Sequence, residues 1–87
     1  MRNITFTPKA FEDFTDWAKQ DKKIYRKLVS LINDTLRQPF TGLGKPEALK
    51  HDLKGCWSRR ITDEHRLVYK VTETDVIIVS CRFHYDD

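Results

Sequence analysis

The chain is poor in the residues that staple or punctuate small proteins. Its 87 residues include two cysteines, three glycines and three prolines. Cys56 and Cys81 form no paired motif. A disulfide framework would use more of them, and a zinc site would space them more closely. Both read as reduced, packed thiols of a cytoplasmic protein. No apolar run approaches the ~20 residues that span a bilayer, and Met1-Arg2-Asn3-Ile4 lacks the apolar stretch of a signal peptide. A large charge of one sign is missing too. The 16 Lys+Arg against 13 Asp+Glu leave a net charge of +3, which permits nucleic-acid binding without arguing for it. There is no internal repeat, and Gly42-Leu43-Gly44 lacks the third glycine and the strand–turn–helix context of a dinucleotide fingerprint.

What is present fits one small α+β domain over residues 1–87. Hydrophobic residues make up 39% and charged residues 33%, so the core is thin and stabilisation by a partner is expected. Asn3 to Phe6 reads as a strand. Thr7 is placed as a helix N-cap and Pro8 at the first helical position. Phe11, Phe14, Trp17 and Ala18 recur at helical spacing and read as core, with Glu12, Asp13 and Asp16 off that stripe. Asp21 caps a second helix whose apolar face is Ile24, Leu28, Leu31, Ile32 and Leu36. Pro39 ends it near Arg37. The basic residues Lys22, Lys23, Arg26 and Lys27 read as a solvated helix face. A loop with two prolines and two glycines runs from Pro39 to Pro46. Strands follow: a short one near Ala48 to His51, then Cys56 to Thr62, His65 to Val71 and Val76 to Tyr85. Consecutive hairpins favour an antiparallel meander, with the two helices covering one face.

Side chains alternate faces along a strand. On that rule Ile77, Val79, Cys81 and Phe83 face the helices, and Ile78, Ser80, Arg82 and His84 face away. Leu67, Tyr69 and Val71 point inward, and Arg66, Val68 and Lys70 outward. Trp57 and Ile61 point inward with Arg59 between them, and Ser58 and Arg60 outward. Arg60, Arg66 and His84 then converge on one open face from three strands. The strands offer no acidic neighbours to Arg60, Arg66 and Arg82, and like charges on adjacent strands repel. An anionic guest relieves that repulsion.

Cleaving RNA without a metal or cofactor needs three things: a base for the 2′-hydroxyl, a donor for the 5′-oxygen, and positive charge at the phosphorus. Glu47 fits the base. His84 fits the acid, since a reference pKa of about 6.5 suits proton donation near neutrality. His51 and His65 lie near turns and are assigned no chemistry. The three histidines are too scattered for a metal site.

The stretch GKPEALKHDLKGCWSRRITDEHRLVY, from Gly44 to Tyr69, and the later CRFHY resemble the YoeB family of the RelE superfamily, bacterial toxins of toxin–antitoxin systems. The resemblance covers nearly the whole chain, including Asp21-Lys22-Lys23 and the loop from Pro39 to Glu47. It implies a RelE-like fold, an antiparallel sheet with two N-terminal helices on one face. It implies a ribosome-dependent mRNA endonuclease that cuts message in the A site and inhibits translation. By this resemblance Glu47 is the general base and His84 the general acid. Arg66 stabilises charge on the scissile phosphate, and Tyr85 orients the message. Lys50 and Arg60 hold phosphate, and Lys45 and Arg59 in the same basic stretch join them as RNA contacts. Simple alternation turns Tyr85 toward the helices, so the chain must bend to bring it to the site. A homodimer and a YefM-like antitoxin that covers the active face are also implied. Asp86 and Asp87 follow the family's His-Tyr pair, and two carboxylates beside His84 favour its protonated form. Cys56 stands where the family commonly has a larger apolar residue. Two other functions compete: a ParE-like toxin that binds and blocks a target such as gyrase, and a single-strand RNA-binding module. The set Glu47, Arg66, His84 and Tyr85 argues against the first. Aromatics at helical rather than strand spacing argue against the second.

Overall fold

The computed structural model of the chain describes residues 1–83. Two helices and five strands follow one another as β1 (Asn3–Phe6), α1 (Pro8–Gln20), α2 (Lys22–Arg37), β2 (Glu47–Ala48), β3 (Cys56–Arg60), β4 (Arg66–Val71) and β5 (Asp75–Ser80). The short strand, expected near Ala48 to His51, is Glu47–Ala48, and a single 3-10 turn, His51–Leu53, follows it.

The helix ends follow the local chemistry. The Thr7 hydroxyl accepts the Ala10 N–H at 3.1 Å, with Pro8 in the first turn. Asp21 serves both helices. Its extended backbone stops α1, its N–H donates to the Trp17 carbonyl, and its carboxylate accepts the Lys23 and Ile24 N–H groups that open α2. One residue thus makes the turn between them. Gln38, just before Pro39, leaves helical geometry and closes α2.

The five strands form one sheet in the order β1-β5-β4-β3-β2. The pairs β5–β4, β4–β3 and β3–β2 are antiparallel, as the hairpin signals require. The first strand departs from the expected antiparallel sheet: it joins β5 in parallel, with Ile4 opposite Val76 and Phe6 opposite Ile78. Two helices carry the chain from β1 to the far edge, so the sheet is mixed.

The core lies between α1, α2 and one sheet face. It holds Ala10, Trp17, Leu28, Leu31, Ile32, Ile61, Leu67, Tyr69, Val76, Ile78 and Cys81, with Phe6, Phe14 and Tyr25 packed on its margin. The α2 stripe is as expected. On α1 the buried face is rotated: Ala10 and Asp13 are inside, and Phe11 is 58% exposed. Asp13 is drawn in because its carboxylate accepts the Cys81 N–H at 3.1 Å and pairs with Lys9 at 3.0 Å. Burial pushes the Cys81 thiol up to about 12, so it packs as an inert group.

Alternation fails on β5. Pairing runs Val76 to Ile78 against Val71 to Tyr69, then shifts, so that Ser80 lies opposite Val68. The extra residue is a bulge, which flips every side chain beyond it to the other face. Val76 and Ile78 are therefore the buried pair, instead of Ile77 and Val79, while Cys81 is buried as expected. The strand also ends at Ser80, short of Tyr85. Beyond it the N–H groups of Cys81 and Phe83 donate to side chains, the Asp13 carboxylate and His65 Nδ1.

A buried ion pair ties the 38–45 loop to the sheet. Arg59 is fully buried and sits 2.7 Å from Asp34 of α2. Its remaining donors reach the carbonyls of Gln38 (2.6 Å), Thr41 (2.9 Å) and Leu43 (3.0 Å), and the Tyr69 hydroxyl (3.2 Å). Tyr69 in turn donates to the Pro39 carbonyl at 2.7 Å. The Leu43 N–H and then Arg59 hold the Asp34 carboxyl well below the usual carboxylate range. Gly42 and Gly44 both adopt positive φ here. A Cβ on Gly42 would collide with the Asp34 carboxylate. Among the described residues, no helix is long and apolar enough to cross a membrane.

Candidate active site

Strand register places the polar groups of the sheet face turned away from the helices. Residues paired across a sheet point to the same side. Glu47 pairs with Ser58, Ser58 with Val68, and Val68 with Ser80, a row across four strands. Two residues along, at the ends of β3 and β4, Arg60 pairs with Arg66. Ser58 and Val68 are buried at the middle of the row, whereas Glu47 and Arg60 are exposed. Strand spacing and rise put the Glu47 and Arg66 Cα positions about 12 Å apart. Two long side chains reaching inward from that separation can flank one phosphodiester.

Local structure places the residues that carry these groups. Arg60 donates its backbone N–H to the Gly44 carbonyl at 2.7 Å, so the glycine loop continues the sheet beside β3. A Cβ on Gly44 would come within 3.1 Å of the Arg60 carbonyl, so this approach needs glycine. Arg66 is half-buried, and its Nη1 bonds the carbonyls of Thr62 (2.6 Å), Asp63 (3.1 Å) and His65 (3.1 Å). The turn before β4 thereby fixes the direction of this guanidinium, as a preorganised charge stabiliser requires. Lys50 is exposed at the start of the 3-10 turn, after buried Leu49. Lys45 and Arg60, with Lys27 of α2, line a groove of about 400 Å³ beside Leu31 and Leu43. One residue of the basic helix face thus reaches the site's margin.

Two expected placements are overturned. Arg59 is no RNA contact. It is inward, as alternation placed it, and fully enclosed, with Asp34 and four further acceptors around its guanidinium. Arg82 is not on the face with Arg60 and Arg66. The strand ends at Ser80, and beyond it Arg82 turns to α1, where it lies over the Trp17 ring at 4.9 Å, bonds Gln20 at 3.1 Å and approaches Asp16 at 3.9 Å. The acidic neighbour missing from the strands is supplied by a helix. His84, Tyr85, Asp86 and Asp87 lie outside the described residues. The described chain ends close by, since the Phe83 carbonyl accepts the Arg66 N–H at 3.2 Å.

His65, to which the sequence reading gave no chemistry, is a structural centre of this region. Its ring packs edge-on to Trp17 at 4.8 Å, and its Nδ1 accepts the Phe83 N–H at 2.8 Å. Alternation carried two residues back from Leu67 is the signal that would have turned it inward.

Comparison with known proteins agrees with this architecture. Residues 6–85 match the family model described as a YoeB-like toxin of bacterial type II toxin–antitoxin systems. The toxin YoeB of Streptomyces coelicolor is 54% identical over 82 residues, which are 94% of this chain and 98% of that protein. The YoeB dimer from Staphylococcus aureus superposes with a TM-score of 0.90 at 47% identity, covering 97% of this chain and 98% of that one. The YoeB–YefM complex from the same organism gives 0.89 at 45% identity, covering 98% and 99%. On the match of both sequence and fold along nearly its whole length, the chain belongs to the YoeB-like toxins of bacterial type II toxin–antitoxin systems.

Proposed function

We propose that this toxin is a ribosome-dependent endoribonuclease that cleaves message in the A site by acid–base attack of the 2′-hydroxyl. The observation that carries the reading is the register: Glu47 and the Arg60–Arg66 pair fall on one sheet face, opposite the helices. Glu47 takes the 2′-hydroxyl proton as the oxygen attacks phosphorus. The P–O5′ bond breaks, His84 protonates the departing oxygen, and a 2′,3′-cyclic phosphate is left on the upstream fragment. Arg66 and Arg60 stabilise the extra negative charge that develops on the phosphoryl oxygens. Lys50 and Lys45 hold the flanking phosphates, and Tyr85 orients the message. The ribosome supplies a positioned substrate, which removes an entropic cost that a small domain with a thin core cannot meet by binding alone.

Two partners belong to the proposal. The Staphylococcus aureus relatives form a dimer and a complex with YefM. By the same likeness this chain pairs with a second copy and with a YefM-like antitoxin. Exposed Phe11, Phe40, Leu43 and Phe83 are apolar groups of the kind such interfaces cover. The cytoplasm, where translating ribosomes lie, is the matching location.

Single-turnover cleavage on translating ribosomes, mapped by toeprinting, tests the chemistry. Glu47→Gln and His84→Gln should each slow cutting by at least about 100-fold with ribosome binding little changed. Near wild-type rates in both would remove these roles. Growth arrest with intact messages would move the chain to a ParE-like blocking toxin, and salt-dependent binding to RNA without cutting to a binding module.

A further inference from the structure

We infer that His65 is a positioning residue for the proposed reaction, which clamps the backbone of Phe83, the residue next to His84 in the chain, beside Arg66. The inference rests on the nuclease reading and adds a residue to it. The two backbone polar groups of Phe83 are taken by consecutive residues, His65 and the first residue of β4. Its N–H donates to His65 Nδ1 at 2.8 Å, and its carbonyl accepts the Arg66 N–H at 3.2 Å. A backbone donor on Nδ1 requires that nitrogen to be unprotonated, so the neutral ring carries its proton on Nε2. Nε2 lies 3.6 Å from the Glu64 carboxylate, which favours that tautomer.

The clamp is rigidly mounted. His65 is buried against Trp17 and lies 5.5 Å from the Phe83 ring, at an angle of 52°. Its N–H donates to the Thr62 hydroxyl, and its carbonyl accepts from Ile61 and Thr62. Phe83 itself takes φ +64°, a conformation unfavourable for a bulky side chain. Held on both sides of its peptide, it turns the chain after the bulge. The cation Arg82 lies against this arrangement from outside, over the rings of Trp17 (4.9 Å) and Phe83 (5.3 Å), with Asp16 behind it. A shift of about 1 Å in the reacting groups costs on the order of 100-fold in rate, so a loosened Phe83 peptide should be felt in chemistry before it is felt in folding.

Three substitutions separate the clamp from simple packing. His65→Phe keeps a ring against Trp17 but has no acceptor. His65→Asn can place an oxygen where Nδ1 was, and His65→Gln carries its oxygen one bond too far. In the full chain, His65→Phe and His65→Gln should speed hydrogen exchange of the Phe83 amide at least about tenfold. They should lower single-turnover cleavage by about 10- to 100-fold, with ribosome affinity unchanged. His65→Asn should restore both to within about threefold. Should His65→Phe not fold, the Asn and Gln pair decides alone. A wild-type chain that cuts no message sinks the nuclease reading and this inference with it. A wild type that cuts, with His65→Phe and His65→Gln cutting equally well or with Asn as slow as Gln, overturns the clamp only.

Discussion

Arg59 and Arg60 are neighbours on β3 with opposite surroundings. Arg59 has no exposed surface, and its five acceptors come from α2, the glycine loop and β4. Arg60 is exposed, lines a groove with Lys27 and Lys45, and pairs across the sheet with Arg66. The difference is one step of strand alternation. A guanidinium turned inward is desolvated and must be fully satisfied, so it organises the fold. The same group turned outward keeps its donors for a phosphate. A basic stretch therefore cannot be read as a ligand surface until each residue's side of the sheet is known.

The contrast can be broken first at Arg59. Arg59→Met leaves Asp34 buried without its cation and unties three loop carbonyls, so urea unfolding should show a loss of about 3–5 kcal/mol. Arg59→Lys should recover little of it, because an ammonium cannot reproduce the planar fork. A fall below about 1 kcal/mol would mean that the pair is dispensable.

The next largest effect is one of pH. The folded-state pKa of Asp34 is depressed, chiefly by the Leu43 N–H and Arg59. Its stabilisation is therefore complete above the unfolded carboxyl value of about 3.9 and is lost as pH falls below it. Between pH 4 and pH 2.5 wild type should lose about 1–2 kcal/mol more than Asp34→Asn, although the variant starts lower. Equal slopes for the two would place the acid sensitivity elsewhere. The smallest effect on folding is expected at Arg60. Arg60→Ala should change stability by no more than about 0.5 kcal/mol while slowing message cleavage about tenfold or more. A variant that unfolds as Arg59→Met does would erase the distinction between the neighbours.

Local chemistry made most of the fold legible. Thr7-Pro8, Asp21 and Pro39 each act within a few residues, and they set the helix ends. The apolar stripe of α2 and the alternation of β3 and β4 likewise depend on neighbours. What escaped is non-local or irregular. The parallel pairing of β1 is fixed by partners at the other end of the chain. The β5 bulge has no compositional mark, and it reversed the side of Ile78, while the early end of the strand at Ser80 let Arg82 turn to α1. Asp34 and Asp13 lie among apolar residues because their partners, Arg59 and the Cys81 N–H, come from distant parts of the chain. Of the site, the adjacency of Arg60 and Arg66 followed from parity alone. The face of Arg59 followed from it too, yet local charge still suggested an RNA contact.

The parallel pairing of β1 with β5 has a consequence for synthesis. The Thr7 hydroxyl bonds the Val79 carbonyl, 72 residues onward. The earliest strand to leave a ribosome therefore waits for the latest one, and the sheet closes only when nearly all of the chain has emerged. Such distant pairings slow folding. A toxin built this way gains its working shape late in its own synthesis.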